Sequence, residues 1–362
     1  MFLPNTSILS RNIGYLFWMI LLVVFIVSLP FFFKDEKDFL KLVRIYLLSF
    51  TAIALFGLFQ FLLGLYGISF YITQWWMSGR LPRINAFSYE PSYFSTYVLI
   101  AWVTYFYLLV NKNYHNKYFY SKWCFSILTL SLILSTSRMG LIIMGLIIVI
   151  YLFQESFRVF TTLRIKKITL VLSTGFFMII GVVSYYLIFK FNKIKFILAG
   201  MGVMGQTNHS SGQRLKELQD TFQAFLNSPF IGRSLGGVPS AIAQVRGAYI
   251  HFQWQTKSYE GMNVFVETLV TSGIFGFLFF ITFLIVLFYK TARLASQIKK
   301  YNRAYSGLLY ALLLALFFEL VLLNMNQNIL RIYLWVHIGM VNLGYFIGLS
   351  MYRNYKSSLY PA

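Results

Sequence analysis

Acidic residues are scarce in this chain: ten Asp and Glu in 362 residues, against 31 Lys and Arg. Charged residues of both signs make up only 11%, under half of the roughly 25% usual in a soluble domain. That excludes an ordinary water-soluble fold. Intrinsic disorder is excluded as well, because a disordered chain has few apolar residues and here 58% are hydrophobic. The single cysteine, Cys124, lies in an apolar run. No intramolecular disulfide can form, and the redox compartment stays open. No internal repeat, low-complexity stretch or appended soluble domain is visible. No cleavable signal peptide is expected either, since 13–33 is too long for a signal core and lacks a small-x-small exit.

What the chain has instead is apolar bulk. Mean hydropathy is +0.68, and 39 Phe and 26 Tyr help bring aromatics to 20%, as suits long membrane interfaces. The fold class expected is an all-α polytopic membrane protein. A span needs about 20 apolar residues to cross ~30 Å of hydrocarbon. Nine segments are read as spans: 13–33, 45–65, 91–110, 120–136, 139–153, 168–189, 263–289, 307–323 and 332–351. The fourth and fifth are short, with a break near Ser135–Arg138.

The net charge of +21 does not mark a nucleic-acid binder, because the basic residues fall in short clusters between apolar runs. Alternate loops hold 18 Lys and Arg on one side, against 5 in the short segments of the other (Arg11, Arg80, Arg83, Arg138 and Arg331). Loop 190–262 carries the remaining 8, and loops that long translocate whatever their charge. The bias predicts the N-terminus and loop 190–262 outside and the C-terminus inside. Three parts are expected: 1–189, an N-terminal membrane domain of six spans; 190–262, an extracytoplasmic loop; and 263–362, a C-terminal membrane domain of three spans with a short cytoplasmic tail.

The few acids sort by side. Asp35, Glu36, Asp38 and Glu155 fall among cytoplasmic lysines, where solvation explains them. Glu90, Glu217, Asp220, Glu260, Glu267 and Glu319 all fall on or near the outer face, Glu267 and Glu319 inside the ends of spans. Ionisable groups at membrane depth are costly and either pair or line a cavity. Arg138 and Arg331 begin their spans at the same level. Ion pairs locking helices together would account for these residues, and so would a site on the outer face.

In the loop, Leu215, Leu218, Phe222 and Phe225 recur at helical spacing, with Arg214, Glu217 and Asp220 off that stripe. Ser210 or Ser211 can cap this helix and Pro229 stops it. It is expected to lie apolar face down on the membrane, with Arg214 in its first turn, where backbone N–H groups favour anions. A solvated arginine fits the pattern equally well. The following "GRSLGGVP" (232–239) reads as a flexible turn carrying Arg233, without the spacing of a nucleotide-binding loop. His209 and His251 have no partner at metal-ligand spacing, so neither metal nor cofactor is expected. His337, inside span nine, reads as a hydrogen-bonded packing residue. Trp75, Trp76, Trp254 and Tyr259 read as interfacial belts or as platforms for sugar rings.

Four stretches carry a family resemblance. "RINAFSYEPSYFSTYVL" (83–99) resembles the Arg-x-x-(Gly/Ala)-Phe…Glu/Asn-Pro stretch of O-antigen polymerases and ligases. "STSRMGLIIMG" (135–145) resembles their Ser-Arg-x-Gly motif. "SGQRLKELQDTFQAFLNSPFIGRSLGG" (211–237) is similar to their outer-loop segment, and "MNVFVETLVTSGIFG" (262–276) to the His-Asn…Gly-I-x-G that reopens the membrane domain. The resemblance implies a GT-C-like membrane glycosyltransferase acting on undecaprenyl-diphosphate-linked oligosaccharide, as donor and as acceptor. A Wzy-type polymerase joins repeat units; a ligase moves the chain to lipid A–core. The family often has more spans than nine. The ligases' histidine aligns with Met262, and a thioether cannot abstract a proton, which favours the polymerase. A chain-length regulator and a flippase are the partners implied, along with membrane lipid.

Cleaving the sugar–diphosphate bond leaves a polyanion, which arginines hold bidentately without a metal. Arg138 and Arg214 are the first choices, then Arg83, with Arg233 in the Gly-rich turn. The acceptor hydroxyl needs a group to take its proton: Glu90, with Glu260, Glu267 and His251 in reserve, while Arg331 and Glu319 complete the cavity. A lipid-linked oligosaccharide transporter is the rival from another class. Transporters show related halves and polar residues at mid-membrane, whereas the halves here are unlike and the charges crowd one face.

Overall fold

Backbone polar groups in hydrocarbon find partners only within their own segment, so apolar runs of this length become helices. The computed structural model describes residues 6–77, 81–111, 121–162, 169–175, 178, 181, 185, 208–250, 255, 259, 261, 263–326 and 329–359. In chain order the helices are α1 (Thr6–Phe32), α2 (Glu36–Leu65), α3 (Pro91–Asn111), α4 (Ser121–Ser135), α5 (Arg138–Thr162), α6 (Asn208–Leu226), α7 (Val238–Val245), α8 (Val264–Ile298), α9 (Arg303–Asn326) and α10 (Ile332–Leu359). A short antiparallel hairpin, β1 (Trp75–Met77) with β2 (Leu81–Pro82), lies between α2 and α3.

Among the described residues, seven helices are long and apolar enough to cross a membrane: α1, α2, α3, α5, α8, α9 and α10. The chain is a polytopic helical membrane protein. Of the nine expected spans, 120–136 is a helix of only 15 residues. The 168–189 segment lies mostly outside the described residues, with 169–175 helical. Burial ranks the spans: 78% of the apolar window of α9 is buried in the protein, against 17% of that of α1. Helix α9 is therefore central, and α1 leaves Phe17, Val24, Phe31 and Phe32 open to lipid.

Contacts divide the chain into two units. The first joins 1–54, 96–128 and 213–362. Its core is built from Phe39, Leu47 and Phe50 of α2, Trp102 and Tyr105 of α3, Tyr305, Leu309 and Leu316 of α9, and Leu334 and Ile338 of α10, all buried. Gly344 lets α10 close on Leu309 and Phe39. Helix α8 is broken at Gly273, whose backbone (φ 66, ψ −171) is non-helical. That region is essentially restricted to glycine. Carbonyls of Val270 and Thr271 freed at the break accept the N–H groups of Arg233 (2.6 Å) and Ser234 (2.9 Å), and Ile274 N–H donates to Pro229 O (2.8 Å). A Cβ on Gly232 would stand 2.6 Å from the Gly273 nitrogen. Pro229 and residues 232–234, the start of the turn 232–239 expected to be flexible, are thus pinned to the broken helix.

The second unit joins 55–95 and 129–212. Gln60 of α2 receives the N–H groups of Asn85 and Ala86 on its Oε1 and donates from Nε2 to Phe70 O. Asn85 accepts Thr73 N–H and donates to the carbonyls of Tyr71 and Ser88. These two buried amides hold residues 70–73 and 85–88 against α2.

Candidate functional site

Three of the expected residues, Arg83, Arg138 and Glu90, come together in the second unit. Arg83 follows the hairpin, and its guanidinium is held from three sides. Nε donates to Thr136 Oγ1 (2.7 Å) and Ser135 O (3.2 Å), Nη1 to Gln74 Oε1 (2.8 Å), and Nη2 to Thr136 O (3.2 Å). All these acceptors are neutral, so they orient the cation without neutralising it. Burial first, and then the nearby Arg138 guanidinium, push the Arg83 pKa down, while Glu90 pulls it back up.

The break expected near Ser135–Arg138 is the joint that builds this corner. Helix α4 ends at Ser135, Thr136 takes a left-handed φ of 49°, and α5 begins at Arg138. Leu141 N–H donates to Ser137 O (2.9 Å), the first turn of α5. Arg138 therefore sits where free backbone N–H groups and the helix dipole are already positive. A second cation there, beside Arg83, is costly unless an anion joins them. Gly140 explains the spacing of Ser-Arg-x-Gly: a Cβ there would be 2.9 Å from Ser95 Cβ. Ser95 and Ser137 hydroxyls meet at 2.7 Å.

Glu90 stands at the start of α3, where its carbonyl accepts Phe94 N–H (3.2 Å) and Pro91 opens the helix. Its carboxylate accepts from Ser92 Oγ (3.1 Å). Acid before proline is a favourable helix start in its own right. Ala86 adopts φ 47°, which accounts physically for Gly or Ala at that position of the Arg-x-x-(Gly/Ala)-Phe stretch. Gln60, Gln74, Asn85 and Thr136, which orient the loop and Arg83, were not singled out from sequence. An amide inside an apolar span, as Gln60 is, was the available signal.

The first unit holds a different set. Glu319 and His337 are both fully buried and pair at 2.6 Å through Nδ1, and Nε2 lies 3.0 Å from Leu312 O. A carbonyl can only accept, so Nε2 carries a proton and Nδ1 shares one with Glu319. Glu319 thus engages a neighbouring helix, and His337 is the hydrogen-bonded packing residue expected. Glu267 is buried in the first turn of α8 beside Gly261. Asn263 caps that helix, accepting from Phe265 (2.9 Å) and Val266 (3.1 Å) N–H, and ties it to α9 through Asn324 O (3.0 Å). Arg331 immediately precedes α10 and is half-buried. Arg233 donates weakly to Asn227 O (3.4 Å).

Helix α6 starts at Asn208, earlier than Ser210 or Ser211, so Arg214 falls in its second turn and not its first. Glu217, Thr221 and Ala224 are its buried face, whereas Leu215 and Phe222 are exposed. Half of the leucine and phenylalanine stripe is thus left uncovered, while Leu218 and Phe225 are half-buried and Phe225 packs against the cluster that includes Ala224, Val238 and Val270. Asp220 pairs with Arg246 at 2.6 Å, and Arg246 lies over the Tyr259 ring. His251, Trp254, Glu260 and Met262 lie outside the described residues, as does the side chain of Arg214. Among the described residues, no three His, Cys, Asp or Glu side chains gather as a metal site.

No curated protein and no solved structure is significantly similar to the chain. A family model does match, and it spans three of the four stretches singled out above, Arg138 among them, while 83–99 precedes it. Residues 123–281 match the family model described as O-antigen ligase, which supports the resemblance to O-antigen polymerases and ligases carried by those stretches.

Proposed function

We propose that the chain is a Wzy-type polymerase of nine spans. It would join undecaprenyl-diphosphate-linked repeat units into O-antigen or capsular polysaccharide on the outer face of a bacterial cytoplasmic membrane. The observation that carries this reading is the Arg83 cation, oriented by neutral partners, with the Arg138 guanidinium at the start of α5 and the Glu90 carboxylate near it. That is a receptor for a polyanion with a proton acceptor beside it.

In this reading the guanidiniums of Arg83 and Arg138 grip the diphosphate of the donor. The acceptor hydroxyl oxygen attacks the anomeric carbon while the bond from that carbon to the diphosphate oxygen breaks. The electron pair leaves with the diphosphate, whose growing charge the arginines meet. Glu90 takes the hydroxyl proton. Neutral partners suit Arg83 to this work, since a structural carboxylate would compete with the phosphate.

The second reading is that of a ligase, after the O-antigen ligase family model that residues 123–281 match: transfer of finished chains to lipid A–core. Deleting the gene and measuring the length distribution of surface polysaccharide separates the two. Loss of a polymerase leaves products capped at one repeat unit. Loss of a ligase leaves full-length chains stranded on the carrier lipid. Unchanged length and attachment would exclude both.

A further inference from the structure

We infer that Arg11 and Asn12 of α1, with Arg233 and the start of α7, form a binding site for a lipid-borne phosphate, built from residues other than Arg83 and Arg138. From sequence, Arg11 counts only toward sidedness. In the fold, Asn12 Oδ1 accepts Gly236 N–H at 2.6 Å, and a Cβ on Gly236 would stand 2.8 Å from Asn12 N and 3.1 Å from the Arg11 carbonyl carbon. Helix α1 therefore touches the Gly-rich segment backbone to backbone. Arg233 is one turn of chain away, its carbonyl against Gly237.

Three side-chain nitrogens here are buried and, among the described residues, have no acceptor: Arg11 Nε, Asn12 Nδ2 and Arg233 Nε. Arg11 is only 8% exposed, and its guanidinium lies 4.9 Å over the Tyr15 ring. All three orphans are donors, and two belong to cations. Buried donors without acceptors are costly, and a single oxyanion satisfies several at once. Helix α7 adds its own free N–H groups: Gly237 at its N-cap supplies no side-chain cap. Ser234, between Arg233 and the helix, is held at φ 73°, strain of the kind that clusters at ligand sites.

The position selects the ligand. Arg11 lies in the first turn of the apolar stretch Leu9–Phe32, at the level where lipid phosphates meet water. The phosphate belongs either to a polyprenyl diphosphate, an assignment that rests on the function proposed above, or to an anionic phospholipid headgroup.

The test uses the full chain purified in phosphatidylcholine nanodiscs, titrated with undecaprenyl diphosphate and, separately, with phosphatidylglycerol, bound lipid being counted by native mass spectrometry. Arg11→Gln and Arg233→Gln should each weaken binding of one of these lipids roughly ten- to a hundred-fold, the cost of one charge-assisted contact. Arg11→Lys should fall between. Whichever lipid responds is the occupant. Unchanged affinity for both overturns the site, and so does a lower unfolding temperature in Arg11→Gln with both affinities intact, which marks a packing role. No glycosyl transfer is measured, so a failure of the polymerase reading is seen separately, in chain length.

Discussion

Arg83 and Arg138 differ in how they are held. Arg83 has its guanidinium fixed by Gln74, Ser135 and Thr136. Arg138 sits at a helix start, where its charge opposes the dipole. An arginine at such a place costs stability without an anion, so its presence argues for one. Lysine keeps the charge at 138 but loses the planar fork that grips two phosphate oxygens. Each lost charge-assisted bond is worth about 1.5–3 kcal/mol, or roughly ten- to a hundred-fold in rate. Arg138→Lys should cut polymerisation by that factor at normal protein level, and Arg138→Ala should abolish it. Abundance is measured beside chain length. Full-length polysaccharide from normally abundant Arg138→Ala protein would remove Arg138 from the site, and a fall in abundance alone would make it a scaffold residue. Both arginines and Glu90 were legible in the sequence, because scarce charges beside apolar runs stand out. Their partners were not: Gln74 and Thr136 are ordinary polar residues, and only the fold turns them toward Arg83.

Among the elements, α8 shows how motif glycines work. Gly273 and Gly232 touch backbone to backbone, and the break lends two carbonyls to residues 233 and 234. Both glycines of this pair therefore serve the fold, whatever chemistry flanks them. Alanine at Gly273 would be forced into a φ/ψ region that costs on the order of 1–3 kcal/mol, and its Cβ would run into the Phe230 carbonyl. Gly273→Ala should lower the unfolding temperature in detergent and the level in membranes. Gly145→Ala is the control: it lies inside α5 with nothing within 4 Å of its Cβ, and replacing a helix-interior glycine gains up to about 1 kcal/mol. Equal thermal stability of both variants would show that the pinned segment contributes nothing. A helical period over 263–289 announces a span, but no periodicity reveals a break whose hydrogen-bond partners lie some 35 to 45 residues earlier.

For the whole molecule, the expected sidedness is the claim on which the proposed function depends, because the donor's sugars must lie on the face that carries Arg83 and Arg138. Reporter fusions after His115, Phe160 and Gln297 should read cytoplasmic, and fusions at Asp220 and Gln327 extracytoplasmic. Extracytoplasmic signals after His115 and Phe160 would put the arginines on the wrong face and end the polymerase reading. Composition and the length of the apolar runs were enough for the sequence alone to determine a polytopic helical membrane protein. Transfer of about 20 apolar residues into lipid is a local matter, settled segment by segment. Which charges meet was decided only by the tertiary structure. Glu319 against His337 and Arg83 against the α4–α5 joint join residues 18 and 53 positions apart. Such pairs form because a buried donor or carboxylate must find a partner somewhere in the packed helices, and no local pattern says where.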